Sequence, residues 1–331
     1  MAYAARLADA PWGVDRFVPQ TMEETMASIY EMWNILDAIM RVHSNVLWQT
    51  GYVREHQVRR MVELVRSQPP SRIDYCEVGM NGGHSTVAML LASPNVSAHV
   101  FDILAYRYSA PVATLLRTRF GARFELHPGN SHDTLGAWAT SGHGCDISLV
   151  DGDHSLMGSR RDLIDLWPAA RPSSSLIVDD VVPKCPYLVG GLWNRSVEES
   201  HCRALAADGA DFRNRVNAGP GMALRDLIRN GVVAVHELIG PARMGTPINP
   251  CLRGPHGPLC RHEWDWGYAV LSYQPMPQEQ RQRAVKAAER AKSVEKRKRR
   301  RAKKGGWDPT CSSSSCLRIV EDMRTRAGPW V

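Results

Sequence analysis

No run of apolar residues in the 331-residue chain approaches the roughly 20 needed to cross a bilayer. The start, Met1-Ala2-Tyr3-Ala4-Ala5-Arg6, has no long apolar segment ahead of a small-residue cleavage site. The chain is therefore read as soluble and not secreted, with a cytoplasmic location expected. CxxC pairs are missing too: the eight cysteines stand apart at Cys76, Cys145, Cys185, Cys202, Cys251, Cys260, Cys311 and Cys316. In a long chain without a signal segment a disulfide framework is not expected, and these read as small buried or exposed thiols. Cys251 and Cys260, with His262 close by, are an alternative zinc set, although their spacing is not that of a known finger. Internal repeats are absent.

What is present is a hydrophobic content of 44%, enough to bury a core and to exclude disorder of the whole chain. The net charge of +7 is unevenly spread. Between Arg281 and Lys304 there are thirteen Lys or Arg and two Glu, a local +11 that leaves the remainder at −4. The body of the protein is thus mildly acidic, and the basic character belongs to one segment.

Apolar positions at three- and four-residue steps predict a helix from Thr21 to about Val46, with Thr21 and Glu24 spaced as a capping box. A second helix is expected from about Arg54 to Ser67, ended by Pro69-Pro70. Strands then alternate with helices: Ile73–Val78, Ala98–Ile103, Arg123–Leu126, Asp146–Val150 and Ser175–Val178, separated by helices at Ser85–Ala92, about Pro111–Phe120 and about Met157–Trp167. Such alternation implies α/β architecture, a parallel sheet with helices on both faces. Residues 186–217 read as a helical or irregular lid, and Met222–Arg229 as a helix. The strands Val232–Leu238 and Gly267–Tyr273 flank a Gly- and Pro-rich insertion at about 241–262, which suggests a hairpin at a sheet edge. A charged helix over 278–304 and a Gly-, Ser- and Pro-containing stretch to the end follow. The expected division is a helical cap (1–70), a main domain (71–275) and a basic helix with a flexible tail (276–331).

The first strand runs into Glu77-Val78-Gly79-Met80-Asn81-Gly82-Gly83-His84-Ser85. Glycines there permit a tight turn and close approach of a ligand's backbone-sized parts, and the following helix start favours a carboxylate. Glu77 is a candidate partner for an ammonium group. Asp102 ends the second strand, where a carboxylate can accept both ribose hydroxyls, and Asn130 and Ser131 follow the third, in reach of an adenine. The turn is not GxGxxG, which counts against a nicotinamide dehydrogenase. Glycines after a strand also occur as purely structural turns.

Asp151-Gly152-Asp153-His154 closes the fourth strand and Asp179-Asp180 the fifth. Open α/β sheets bind ligands at these carboxyl ends. Carboxylates gathered there repel one another unless a cation neutralises them, so Asp151, Asp179 and Asp180 form a candidate hard-oxygen site for Mg²⁺. The alternative is that one or two of them cap turns or helices.

Together, Glu77-x-Gly79-x-x-x-Gly83-x-Ser85, Asp102, the Asp151-Gly-Asp-His154 segment and Asp179-Asp180 resemble the class I S-adenosylmethionine-dependent methyltransferases. The similarity is greatest to metal-dependent O-methyltransferases of the catechol type and to cephalosporin hydroxylase-like relatives, over roughly 70–275. The resemblance implies a Rossmann-like sheet of seven strands with an antiparallel last strand. It implies S-adenosyl-L-methionine on Glu77, Gly79, Gly83, Ser85, Asp102, Asn130, Ser131 and Asp151, and a metal on Asp151 and Asp179. Asp180 stands where the catechol enzymes have an Asn ligand. Their catalytic Lys position holds His154 here, a group suited to proton transfer or simply to bonding at a helix start. The acceptor would be a small-molecule hydroxyl in a pocket shaped by residues 1–60 and the region of Trp193, with Trp33 and Trp48 as lining or as core.

Lys296–Lys304 reads either as a solvated charged helix or as a contact for nucleic acid or an anionic surface, and in a eukaryotic host as a nuclear address. It lacks the aromatic interleaving of base-stacking segments. A nucleic-acid methyltransferase and a non-catalytic binding protein on the same fold are the rival readings. Iron hydroxylase chemistry is disfavoured, because no 2-His-1-carboxylate pattern stands in a suitable context. A homo-oligomer is compatible with the sequence.

Overall fold

The computed structural model describes residues 21–43, 53–181, 219–243, 253–254, 257–258, 265–287, 289–290 and 293. Trp48, Trp193, the 186–217 segment, Cys251, Cys260, His262 and the basic run 296–304 lie outside them.

Helices α1 (Met22–His43) and α2 (Glu55–Arg66) precede the sheet. The capping box at the start of α1 is formed: the Thr21 N–H donates to Glu24 Oε2 at 2.8 Å, and the Glu24 N–H donates to Thr21 Oγ1 at 3.2 Å. The sheet is entered at β1 (Ile73–Val78), then α3 (His84–Ala92), β2 (Val96–Asp102), α4 (Ser109–Phe120), β3 (Phe124–Pro128), α5 (Ser131–Ala139), β4 (Cys145–Val150), α6 (Leu156–Leu166) and β5 (Ala170–Val178). Helix α7 (Gly219–Arg229) leads to β6 (Val233–Arg243). A two-residue ladder of β7 (Arg253–Gly254) and β8 (Gly257–Pro258) precedes β9 (Asp265–Tyr273), and residues 278–287 are helical.

The main sheet has seven strands in the order β3-β2-β1-β4-β5-β9-β6. β1 to β5 pair in parallel, and β9 is antiparallel to both β5 and β6. This is the expected Rossmann-like arrangement, with the antiparallel strand lying inside the β6 edge. The central strands β1, β2 and β4 are buried along nearly their whole length because helices cover both faces, whereas the edge strand β3 is only partly buried. One face packs on α1 to α4 through residues such as Trp33, Leu36, Val58, Val62, Val87 and Leu116. The other packs on α5, α6 and α7 through Leu135, Trp138, Leu163, Leu166 and Leu224.

Helix α5 was not among the expected elements. Its sequence is short and contains Gly136, which weakens the helical pattern. The topology demands a connection there, since β3 and β4 are parallel strands separated by β2 and β1. Asn130 starts it as an N-cap, its side chain accepting from the His132 N–H at 2.9 Å.

The cysteine expectation needs one correction. Cys76 on β1 and Cys145 at the start of β4 are joined as a disulfide with a Cα–Cα distance of 5.8 Å. Both are fully buried. Their 69-residue separation hid the pairing, which arises only because β1 and β4 are sheet neighbours. Among the described residues, no helix is long and apolar enough to cross a membrane.

Candidate functional site

The carboxyl ends of β1, β4 and β5 meet at one point. The Asp151 N–H donates to the Val78 carbonyl at 2.9 Å, and the Asp179 N–H donates to the Val150 carbonyl at 3.2 Å. The glycine turn and both acidic strand ends are therefore one continuous backbone surface. Gly79 has φ +93°, and a Cβ there would overlap the main-chain carbonyl of Asp151. Its lack of a side chain is thus demanded first by the approach of the β4 loop, in addition to any ligand. Gly83, at φ +76°, is the N-cap of α3 and supplies no side-chain cap, so N–H groups at that helix start have no side-chain acceptor from the cap position. Helix α1 braces this point: Trp33 Nε1–H donates to the His84 carbonyl at 2.9 Å, and Trp33 is core.

Glu77 is completely buried and accepts hydrogen bonds from the hydroxyls of Ser85 and Thr86. Burial pushes its carboxyl up to about 8, against the opposing effect of those two hydroxyls. Asp102 holds the glycine turn: its Oδ2 accepts from the Met80 and Asn81 N–H groups at 2.7 and 2.9 Å, and its Oδ1 accepts from Leu104 N–H at 2.6 Å. Asn130 is the α5 cap, and the Ser131 hydroxyl donates to buried Asp162 at 2.6 Å. Five of the expected cofactor residues, Glu77, Ser85, Asp102, Asn130 and Ser131, thus already carry internal bonds that hold the strand-end loops.

The acidic cluster divides. Asp151, His154 and Asp180 place one ligand atom each within 4.8 Å of one another. His154 Nε2 lies 3.2 Å from Asp151 Oδ1, and its Nδ1 lies 3.5 Å from Asp180 Oδ2. Asp180 takes φ +52°, a backbone state that Asp tolerates better than most residues. Asp179 is buried beside them, its Oδ1 accepting from the Asp180 N–H at 2.9 Å. Asp153 turns away to bond the Ser155 N–H at 2.8 Å, the turn-capping role that was the alternative reading.

The electrostatics carry the mark of this crowding. Asp179 is raised to about 7 by burial and by the charges of Asp151 and Asp180. Burial opposes charge on His154, but the bond to Asp151 and the charges of Asp180, Asp151 and Asp179 outweigh it and raise the ring to about 10. The imidazolium is the internal counter-ion of the cluster. Two residues absent from the sequence reading also act here. Burial raises both Asp151 and Asp179, and the charge of Arg54, just before α2, partly offsets that rise. Tyr268 on β9 is raised chiefly by burial, with Asp179 among its charged neighbours, and its hydroxyl lies 3.1 Å from His56 Nδ1. Neither belongs to a local motif, so only the fold could reveal them.

Residues 76–181 match the family described as "Methyltransferase domain". No curated protein sequence matches the chain. Among solved structures, the chain is similar to the O-methyltransferase from Bacillus cereus in complex with SAH, at 15% identity, 82% of this chain, 97% of that one and TM-score 0.47. It is similar to the O-methyltransferase TomG from Streptomyces achromogenes, in complex with SAM, at 17% identity, 74% and 90% coverage and TM-score 0.49. The SAH-bound Podospora anserina methyltransferase PaMTH1 shows 13% identity, 83% and 95% coverage and TM-score 0.48. The matched span runs from the strand that leads into the glycine turn to the acidic end of β5, on a sheet with β9 antiparallel. Over residues 76–181 the chain thus carries a methyltransferase domain.

Proposed function

We propose that the chain moves the methyl group of S-adenosylmethionine to a hydroxyl oxygen of a small molecule, with a divalent cation such as Mg²⁺ beside the acceptor. The observation that supports this reading is the approach of the glycine turn to Asp151 of the Asp151–His154–Asp180 cluster, which would bring a sulfonium donor and an acidic centre together at the strand ends.

The donor set fits a hard cation. Two carboxylates and a third buried one beside them stand in mutual repulsion, relieved in part by His154 and by the charge of Arg54. Asp151 and Asp180 would hold the ion, with Asp179 completing or orienting the set. Such an ion lowers the pKa of an acceptor hydroxyl and fixes its position. His154 is the candidate proton acceptor, and Asp151 would orient its ring at Nε2. The ring serves as a base only in its neutral form, so relief of the negative charge around it is the condition for that role. On the donor side, the start of α3 suits the amino-acid carboxylate, and Asp102 the ribose. Glu77, Gly79, Ser85, Asn130 and Ser131 shape the remaining wall. In-line displacement then draws on positioning for much of its acceleration.

The test is transfer of labelled methyl from S-adenosylmethionine to a panel of phenolic and aliphatic alcohols, with Mg²⁺ and with chelator. Activity that disappears in chelator and returns with Mg²⁺ is expected. Unchanged activity in chelator removes the metal from the reading, and no cofactor binding at millimolar concentration removes the whole.

A further inference from the structure

A second group of donor side chains meets on the sheet face that α5 covers, separated from the acidic cluster by β1. His99 of β2 stands in register with Glu125 of β3, and Phe101 with His127. His99 Nδ1 lies 3.1 Å from Glu125 Oε2, and His127 Nε2 lies 3.7 Å from Glu125 Oε1. One atom from each of the three falls within 4.8 Å of the others. Tetrahedral zinc with bonds of about 2.0–2.2 Å spaces its ligand atoms roughly 3.3–3.6 Å apart, and the two nitrogen–oxygen separations, each to a different Glu125 oxygen, fall on either side of that range.

The unusual feature is what the two rings lack. The His99 side chain is only 9% exposed. Its Nδ1 and His127 Nε2 are both buried and have no hydrogen-bond partner, although each faces the Glu125 carboxylate. Buried polar atoms are nearly always satisfied, so two orphaned ring nitrogens aimed at one carboxylate call for a shared ligand. The outer face of His99 is also arranged for it. Its Nε2 lies 3.7 Å from Asp74 Oδ1, and Asp74 is in turn anchored by Arg72 Nε at 2.7 Å and Arg171 Nη2 at 2.6 Å. Asp74 thus stands behind the ring on the side opposite Glu125, where carboxylates stand behind metal-bound histidines. Trp138 and His143, stacked at 4.7 Å, wall the far side, with His99 5.0 Å from Trp138. Burial holds both rings below the ordinary imidazole value, which favours the neutral ligand form.

We propose that His99, Glu125 and His127 form a zinc site that ties the edge strand β3 to β2. Two imidazoles and one carboxylate suit a borderline-soft divalent ion better than Mg²⁺, and the half-exposed Glu125 leaves a path for entry and for a water as fourth ligand. This site is independent of the methyl-transfer reading.

The experiment is calorimetric titration of Zn²⁺ into the full, untagged chain after chelator treatment, in wild type and in Glu125→Gln, His127→Gln and Asp180→Asn. A zinc event weakened at least tenfold in Glu125→Gln and His127→Gln, but retained in Asp180→Asn, is expected. Equal affinity in Glu125→Gln and wild type, loss in Asp180→Asn alone, or no zinc uptake by wild type overturns the proposal. The exposed Glu125 decides the matter should His127→Gln fail to fold.

Discussion

At Gly79 two demands coincide, a backbone state with φ +93° and the absence of any atom between the turn and the Asp151 carbonyl. Gly79→Ala must carry both the left-handed conformation and the overlap, for a destabilisation of about 2–5 kcal/mol. Urea unfolding of the variant measures this, and a loss below about 1 kcal/mol would show that the β4 loop can yield. At Glu77 the cost is one of charge. The folded carboxyl keeps its proton up to about 8, while the unfolded chain releases it near 4.5. The folded state therefore binds more protons across that window, and its stability falls as pH rises through it, by at most about 1.4 kcal/mol per unit. Cofactor-free Glu77→Gln should show a flatter decline in urea midpoint between pH 5 and 8 than wild type.

Helix ends and strand ends do most of the positioning at the scale of elements. Asn130 caps α5, the helix whose Trp138 packs beside His99 and Phe101. Asn130→Ala should cost about 1 kcal/mol. If Asn130 only caps, cofactor affinity stays near wild type; a larger fall in affinity than in stability identifies it with the adenine contact. The capping box of α1 and the apolar spacing of α2 made these helices legible in the sequence to within a few residues. Helix α5 was not legible, because nine residues with a central glycine give too little periodicity and only the return from β3 to β4 requires them.

For the whole molecule, the bridge between Cys76 and Cys145 closes a 69-residue stretch that contains the end of β1, the glycine turn, β2 and β3. Removing such a cross-link frees the unfolded chain and typically costs about 2–4 kcal/mol. Cys145→Ser should unfold at lower temperature than the oxidised wild type, and mass analysis of the unreduced protein checks the bond directly. Methyl transfer has a matching test. Asp180→Asn should reduce Mg²⁺-supported turnover at least tenfold while cofactor affinity changes little, since the residue lies on β5's end and not on the turn. Equal losses in both would place Asp180 against the cofactor instead.

The chain's local chemistry determined which strands exist, where the glycine turn falls and which carboxylates end β4 and β5, because apolar runs, glycines and acidic strand ends are properties of neighbouring residues. It could not say how those carboxylates share their work. That Asp153 turns outward, that His154 sits between Asp151 and Asp180, and that Arg54 and Tyr268 approach from distant elements depended on the packing of α2 and β9 against the strand ends. The same holds for Cys76 with Cys145 and for His99 with Glu125 and His127. Each pair or trio is joined by sheet register, and register is set when whole strands bury their apolar faces, not by any short stretch of sequence.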